Sequence, residues 1–185
     1  MPNRPLGSLI PYLFSIAIPL ALGLYLRITG RRHVASSFAL VLFLFAFWST
    51  VSLIELVSAS PTAKLFWDDM QFLAGGAVGV AILSFSFRYE GAWFQRSRAA
   101  YRLLASIPVL IWLFLVTDPL HHLAMVPRAV APGAAWGGYA YHYTLPTFAL
   151  AGVIIAIALA GIGRIGLSAA RELRGGRFGG LCVFL

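Results

Sequence analysis

Charge is what this chain has least of. Fourteen Lys and Arg and six Asp and Glu make up 11% of its 185 residues, where a soluble domain carries about 25%. So few ionisable groups cannot cover a water-facing surface of this size, which excludes a soluble globule. With 60% hydrophobic and 14% aromatic residues, a disordered chain is excluded as well. The single cysteine, Cys182, excludes an intrachain disulfide framework and a cysteine metal site. The single lysine, Lys64, sits at a helix mouth, so a Schiff-base chromophore deep in a span is excluded. None of the histidines lies inside an apolar run, which removes a haem held between facing helices. No P-loop, nucleophile elbow, zinc-protease or kinase signature is present. Six acids, four of them on one side, build no intramembrane proton relay. No enzyme activity and no cofactor are expected of these residues.

What the chain has in abundance is apolar length. A membrane-spanning helix needs about 20 mostly apolar residues, and five stretches qualify: about 8–28, 34–58, 65–87, 101–117 and 141–163. The expected fold is all-α, a polytopic membrane bundle of five full transmembrane helices with its N-terminus outside. The first run is too long for a signal-peptide core, and no small-residue cleavage site follows it. Residues 178–185 are apolar again and read as the stub of a sixth helix, about 12 Å long, with a natural short interfacial tail as the plain alternative.

Orientation follows from the cations. With the N-terminus outside, the inner segments hold Arg27, Arg31 and Arg32, then Arg88, Arg96, Arg98 and Arg102, then Arg164, Arg171, Arg174 and Arg177. That is eleven of fourteen, against Arg4, Lys64 and Arg128 outside. The net charge of +8 is thus a topology signal, suited to an anionic inner leaflet, and no sign of nucleic acid. The expected address is the cell (inner) membrane.

Ionisable groups inside spans are costly and therefore functional candidates. Glu55 lies about one turn from the outer end of helix two, with Trp48 two turns down the same face and Ser52 between them. Core packing and an interfacial carboxylate are the plain alternative for this pair. Helix three opens with Lys64, Trp67, Asp68 and Asp69. The two acids there are expected to cap a positive helix end, and Trp67 to sit in the interfacial aromatic belt. Gly75 and Gly79 form a small-residue notch, and Gly152, Ala156 and Ala160 a ridge of the same spacing, both read as helix-packing surfaces. His121, His122 and His142 gather near Asp118 at the outer ends of helices four and five. No metal-ligand spacing supports an ion there, so interfacial hydrogen bonding is expected.

The order of these elements resembles a known family. Trp48…Glu55 is followed by Lys64-x-x-Trp67-x-x-x-Gln71-Phe72 and by Phe85-Ser86-Phe87-Arg88-Tyr89-x-Gly91. Then come Arg102-Leu103-Leu104-x-x-Ile107-Pro108, Thr117-Asp118-x-x-His121-His122-Leu123 and the aromatic run from Tyr139 to Tyr143. Across about 8–175 this is similar to the seven-helix N-terminal sensor region of histidine kinases and related diguanylate cyclases. The most specific element is Thr-x-x-x-His at the end of helix four. Two positions depart: Asp118 replaces a commoner Asn, and Val78-Gly79 replaces a commoner Pro. The resemblance implies that 1–177 is a sensory input region. It implies a small-molecule or membrane stimulus, a possible homodimer, and a cytoplasmic kinase or cyclase module in the parent protein. It makes 178–185 a truncated sixth helix. Trp48, Glu55, Trp67, Asp118 and His121 are the expected sensing or structural-lock residues. A small transporter or permease subunit is the competing reading, but no internal repeat or polar midplane site favours it.

Overall fold

The structure, a computed structural model, describes residues 9–30, 33–89, 98–125, 131–132, 139–140 and 142–174. The sixth-helix reading of 178–185 lies outside the described residues. The chain runs α1 (Ile10–Thr29), α2 (His33–Val57), α3 (Pro61–Tyr89), α4 (Arg98–Val116), the single turn α5 (Asp118–His121) and α6 (Leu145–Arg174). A two-residue antiparallel pairing of β1 (Ala131–Pro132) with β2 (Tyr139–Ala140) lies between α5 and α6. Five of the helices are long and apolar enough to cross a membrane.

Several boundaries move from their expected places, two of them with consequences for packing and the site. Helix α3 starts at Pro61, a full turn before Lys64. Proline fits a first helical position because its missing N–H is one of the unpaired donors anyway. Helix α6 runs 11 residues past the expected stop at 163, to Arg174. Arg164 does not end it, because its guanidinium lies 4.3 Å over the Phe87 ring of α3 and stays within the bundle.

The bundle is organised around α3. In its most apolar window 44% of residues are buried, against 6–17% for the other four spans. Helices α2, α4 and α6 all pack on it, and α1 packs chiefly on α2. At Gly23 of α1 the Phe43 ring lies where a β-carbon would be, which keeps the two backbones close. The outward faces are apolar: Ile28, Leu110, Leu145 and Leu159 are all more than half exposed. Such a surface suits hydrocarbon and not water.

Two apolar clusters hold the ends together. Val41, Ala81 and Phe85 form one, joined by Phe38, Ile82 and Ile165. Ile111, Leu115 and Ala124 form the other, joined by Phe72, Leu150 and Ile154. Charges sort accordingly. Arg27, Arg88 and Arg164 lie at the end of the first cluster, where Arg27 donates to Ser36 Oγ (2.8 Å) and Arg88 to Ser37 Oγ (2.6 Å). Glu55, Asp68, Asp69 and Asp118 lie at the opposite end. These are called the arginine end and the acidic end below.

The small-residue surfaces divide differently from expectation. Gly75 receives the Trp48 ring, 3.6 Å from where its β-carbon would be. A β-carbon at Gly79 would meet Ile154 O at 3.3 Å and the Ala158 side chain at 3.6 Å. Gly152, Ala156 and Ala160 are exposed and face away from α3, and a β-carbon at Gly152 would meet nothing within 4 Å outside its own helix turn. The packing stripe of α6 is Ile154, Ala158, Gly161 and Ile165. At Gly161 a β-carbon would stand 2.8 Å from Leu83 N. In a helix this rich in Gly and Ala a four-residue spacing recurs on every face, so spacing alone does not tell which face meets α3.

Candidate functional site

Helix periodicity brings Trp48, Ser52 and Glu55 onto one face of α2, and that face meets Gln71 of α3. Ser52 Oγ donates to Gln71 Oε1 (2.8 Å) and also contacts Trp48 O (3.1 Å). Gln71 Nε2 donates to Glu55 Oε2. These two partners fix the amide orientation. Lys64, 3% exposed, reaches back to the end of α2, where its Nζ donates to Glu55 O (2.9 Å) and Leu56 O (3.4 Å). Those are carbonyls of the last helical turn, where Glu55 O also accepts the Ser58 N–H at 3.2 Å, and this is the end at which a cation is favoured. Glu55 and Lys64 thus meet through side chain and backbone in one polar ladder across the α2–α3 seam.

Beside the ladder lies a cavity of about 490 Å³ between α2 and α6, with α3 as its floor. Trp48 and Phe45 form the α2 wall, Ile155 and Leu159 part of the α6 wall, and Gly75, Gly76 and Gly79 the floor. Three glycines there keep open space that side chains would fill. Gln71 and Asp68 line the acidic end. The Trp48 indole stands edge-on to Phe45, centroids 5.8 Å apart. Its Nε1 is buried with no acceptor among the described residues. Such a donor costs about 1–3 kcal/mol, and in a bundle of this size it marks a place not optimised for packing alone.

Asp68 and Asp69 are not first-turn caps. The earlier start of α3 carries them two turns into the helix, and they are 8% and 1% exposed. Tyr143, just before α6, donates its hydroxyl to Asp68 Oδ2 and sets its ring edge-on to Phe72 at 5.6 Å. Asp68 therefore ties α6 to α3 at the cavity's acidic end. The sequence offered only the aromatic run before α6 as a signal for this contact.

Asp118 and His121 form a second, separate constellation at the turn that closes α4. Asp118 is fully buried, and its Oδ1 accepts the Ala124 N–H at 2.6 Å. The Leu123 N–H donates to His121 Nδ1 (3.1 Å), which leaves Nε2 to carry the proton toward Phe114 O (3.0 Å). Asp118 Oδ1 is 3.7 Å from Nδ1, too far to displace that donor. The imidazole stacks on Phe114 at 4.9 Å, and Thr117 Oγ1 lies 3.3 Å from Nε2. His122 ends the turn at φ 53°. Ala124 O then accepts from Thr144 N (3.0 Å) and from the hydroxyls of Thr144 (3.2 Å) and Thr147 (2.9 Å), clamping this corner onto the start of α6. With both ring nitrogens of His121 engaged, the Thr-x-x-x-His element locks a helix end. No cluster of three metal-binding side chains occurs among the described residues.

The candidate residues thus separate into three places. Trp48 and Glu55 meet in the α2–α3 ladder, and Asp118 and His121 meet in the corner. Trp67 joins neither: it packs edge-on to its neighbour Phe66, centroids 5.2 Å apart, outside the cavity lining. Gln71, Lys64, Asp68 and Tyr143 complete the site.

No curated protein and no solved structure matches the chain. The profile of the family described as the N-terminal 7TM region of histidine kinase matches residues 11–175, almost the whole length. The apolar helices and this match together make the chain a multi-pass membrane protein, and it belongs to the family of N-terminal 7TM regions of histidine kinases.

Proposed function

We propose that this region is the signal-input part of a membrane-bound histidine kinase and that the α2–α6 cavity receives its stimulus. The observation that carries this reading is the placement of the cavity. Phe45 and Trp48 of α2 face the inward side of α6 across it, Gln71 of the polar ladder lines its acidic end, and α6 runs unbroken from the cavity to the arginine end. The cation excess supports an arginine end in the cytoplasm of the cell membrane, with the N-terminus outside. An occupant that binds one α2–α6 spacing better than another shifts the balance between packings by its difference in affinity. Its chemistry is uncharged and apolar, because the lining offers aromatic and aliphatic surface, no cation to meet an anion, and one carboxylate already holding Tyr143. The parent's output is a kinase, or in some relatives a cyclic-di-GMP synthase, and two copies of the region act together as a dimer. The region itself turns over no nucleotide.

The test uses a full-length histidine kinase that carries this region, in proteoliposomes. Gly75→Leu, which fills the cavity floor, and Gln71→Leu, which cuts the ladder, are expected to move the basal autophosphorylation rate several-fold while leaving the protein in the membrane fraction. Unchanged rates in both variants would defeat the reading. ATP turnover by the purified 185-residue chain would defeat the view of it as input alone.

A further inference from the structure

A second crevice lies on the other side of α3, between α2 and α4 and toward the arginine end, with a volume of about 180 Å³. We propose that it is a binding site for one anionic phospholipid of the arginine-end leaflet. The order of chemical groups along the crevice carries this inference. At its mouth stands Arg88, whose Nη1 donates to Ser37 Oγ at 2.6 Å. That bond holds the guanidinium in place while leaving donors of its fork for a phosphate, the group it matches bidentately. One turn deeper on the same face of α3, Ser84 lines the crevice, and its buried Oγ has no partner among the described residues. A separation of four residues is about 6 Å along a helix, which sets a hydroxyl donor just on the hydrocarbon side of the phosphate, where glycerol ester carbonyls lie. Beyond it the walls turn wholly apolar, with Leu40, Leu44, Leu73, Ala77, Pro108 and Val109. Leu40 and Val109 are 47% and 44% exposed, so the crevice opens sideways toward lipid. Phosphate, ester and chain are thus met in that sequence from the mouth inward.

Charge selects the class of headgroup. Among the described residues no acidic side chain lines the crevice, so none of them would hold the ammonium of a zwitterionic lipid. Arg102 lies beside the lining residue Tyr101 and adds positive potential. The crevice is walled by α2, α3 and α4 and shares no side with α6, so this site does not depend on the stimulus reading of the larger cavity.

The full chain, purified in mild detergent from bilayers of equal phosphatidylglycerol and phosphatidylcholine, is expected to retain phosphatidylglycerol in native mass spectra. Losing a charged bidentate contact costs about ten- to a hundredfold in affinity. Arg88→Ala is therefore expected to cut the bound fraction by at least about tenfold, with Arg88→Lys in between. Arg27→Ala removes an equal charge at the same end, away from the crevice, and is expected to leave retention unchanged. Ala105→Phe fills the crevice without touching Arg88 and is expected to abolish lipid retention while leaving binding of inorganic phosphate intact. Equal losses in Arg27→Ala and Arg88→Ala would reduce the effect to diffuse charge and overturn the site. So would full retention in Ala105→Phe, equal retention of both lipids, or displacement of the lipid by millimolar inorganic phosphate. Should Arg88→Ala lose its helical circular dichroism, Arg88→Lys and Ala105→Phe decide the matter alone.

Discussion

Replacing Gly161 by alanine isolates the contact that sets the α3–α6 distance. An added β-carbon would stand 2.8 Å from Leu83 N and 2.9 Å from both Leu83 Cα and Ile82 Cγ2. Unstrained non-bonded carbons sit about 3.5–4.0 Å apart, and two of the three obstructing atoms are backbone, which cannot rotate aside. The helices must part locally by several tenths of an ångström to about 1 Å. Overpacking of this kind costs about 1–3 kcal/mol, and the better helix propensity of alanine returns up to about 1 kcal/mol. The difference runs from about zero to about 2 kcal/mol. With two backbone atoms under 3.0 Å the expected net effect lies at the upper end, a loss of about 2 kcal/mol. Within a bilayer, helices adhere through close packing more than through hydrophobicity, so little compensates for the lost approach. Gly79→Ala has a milder obstacle, Ile154 O at 3.3 Å, and the two opposing terms nearly cancel. Gly152→Ala meets nothing within 4 Å and is expected to be neutral or slightly stabilising. Thermal unfolding of the purified chain in mild detergent, followed by circular dichroism, reads all three. A Gly152→Ala loss equal to that of Gly161→Ala would refute the assignment of the packing face and return the Gly152–Ala156–Ala160 ridge to an interface.

Three further outcomes follow from the acidic end. Tyr143→Phe removes the hydroxyl held by the buried Asp68, with an expected loss of about 1–3 kcal/mol; the same thermal assay detects it, and an unchanged midpoint would sink this anchor. Asp118→Ala strips the acceptor from the Ala124 N–H in a fully buried site, expected to cost about 2–3 kcal/mol and to leave the α4–α6 corner open to protease at 122–125. Millimolar Zn²⁺ or a chelator is expected to leave the melting temperature unmoved, because His121 already uses both ring nitrogens on backbone partners. A Zn²⁺-dependent rise in wild type that vanishes in His121→Ala would contradict that geometry.

The spans were legible because twenty apolar residues in a row have few other destinations. The corner was legible as a motif, since Thr117 and His121 stand one turn apart. Its role was not, because the partners that use up the imidazole are the backbone of Phe114 and Leu123, which no side-chain pattern encodes. Asp68 and Asp69 were misplaced for a different reason. Their meaning depends on where α3 begins, and Pro61 fits a loop as readily as a first turn until Ser60 and the chain behind it are fixed in space. Glu55 and Trp48 were found by asking which polar groups a membrane would tolerate least. Gln71, uncharged, escaped that question although it bridges Ser52 and Glu55.

Helix α6 touches α3 most closely at Gly161, where no β-carbon fits, and this makes that contact a fulcrum. Ile154, on the cavity wall, lies seven residues before it, and Arg174 lies thirteen residues after it. At 1.5 Å per residue the two arms are about 10 and 20 Å. An occupant that pushes α6 from α2 by about 1 Å at the cavity therefore moves the arginine end about 2 Å the other way, toward α2. Gly75→Phe supplies such a wedge from within the chain, since its side chain would grow into the space beside Trp48. Spin labels at Leu40→Cys and Arg174→Cys, in a Cys182→Ser background, are expected to draw together by about that amount in electron–electron resonance when Gly75→Phe is added. A distance that stays fixed while the wedge protein keeps its helical content would show that α6 bends or slides at Gly161, and the lever would have to be abandoned.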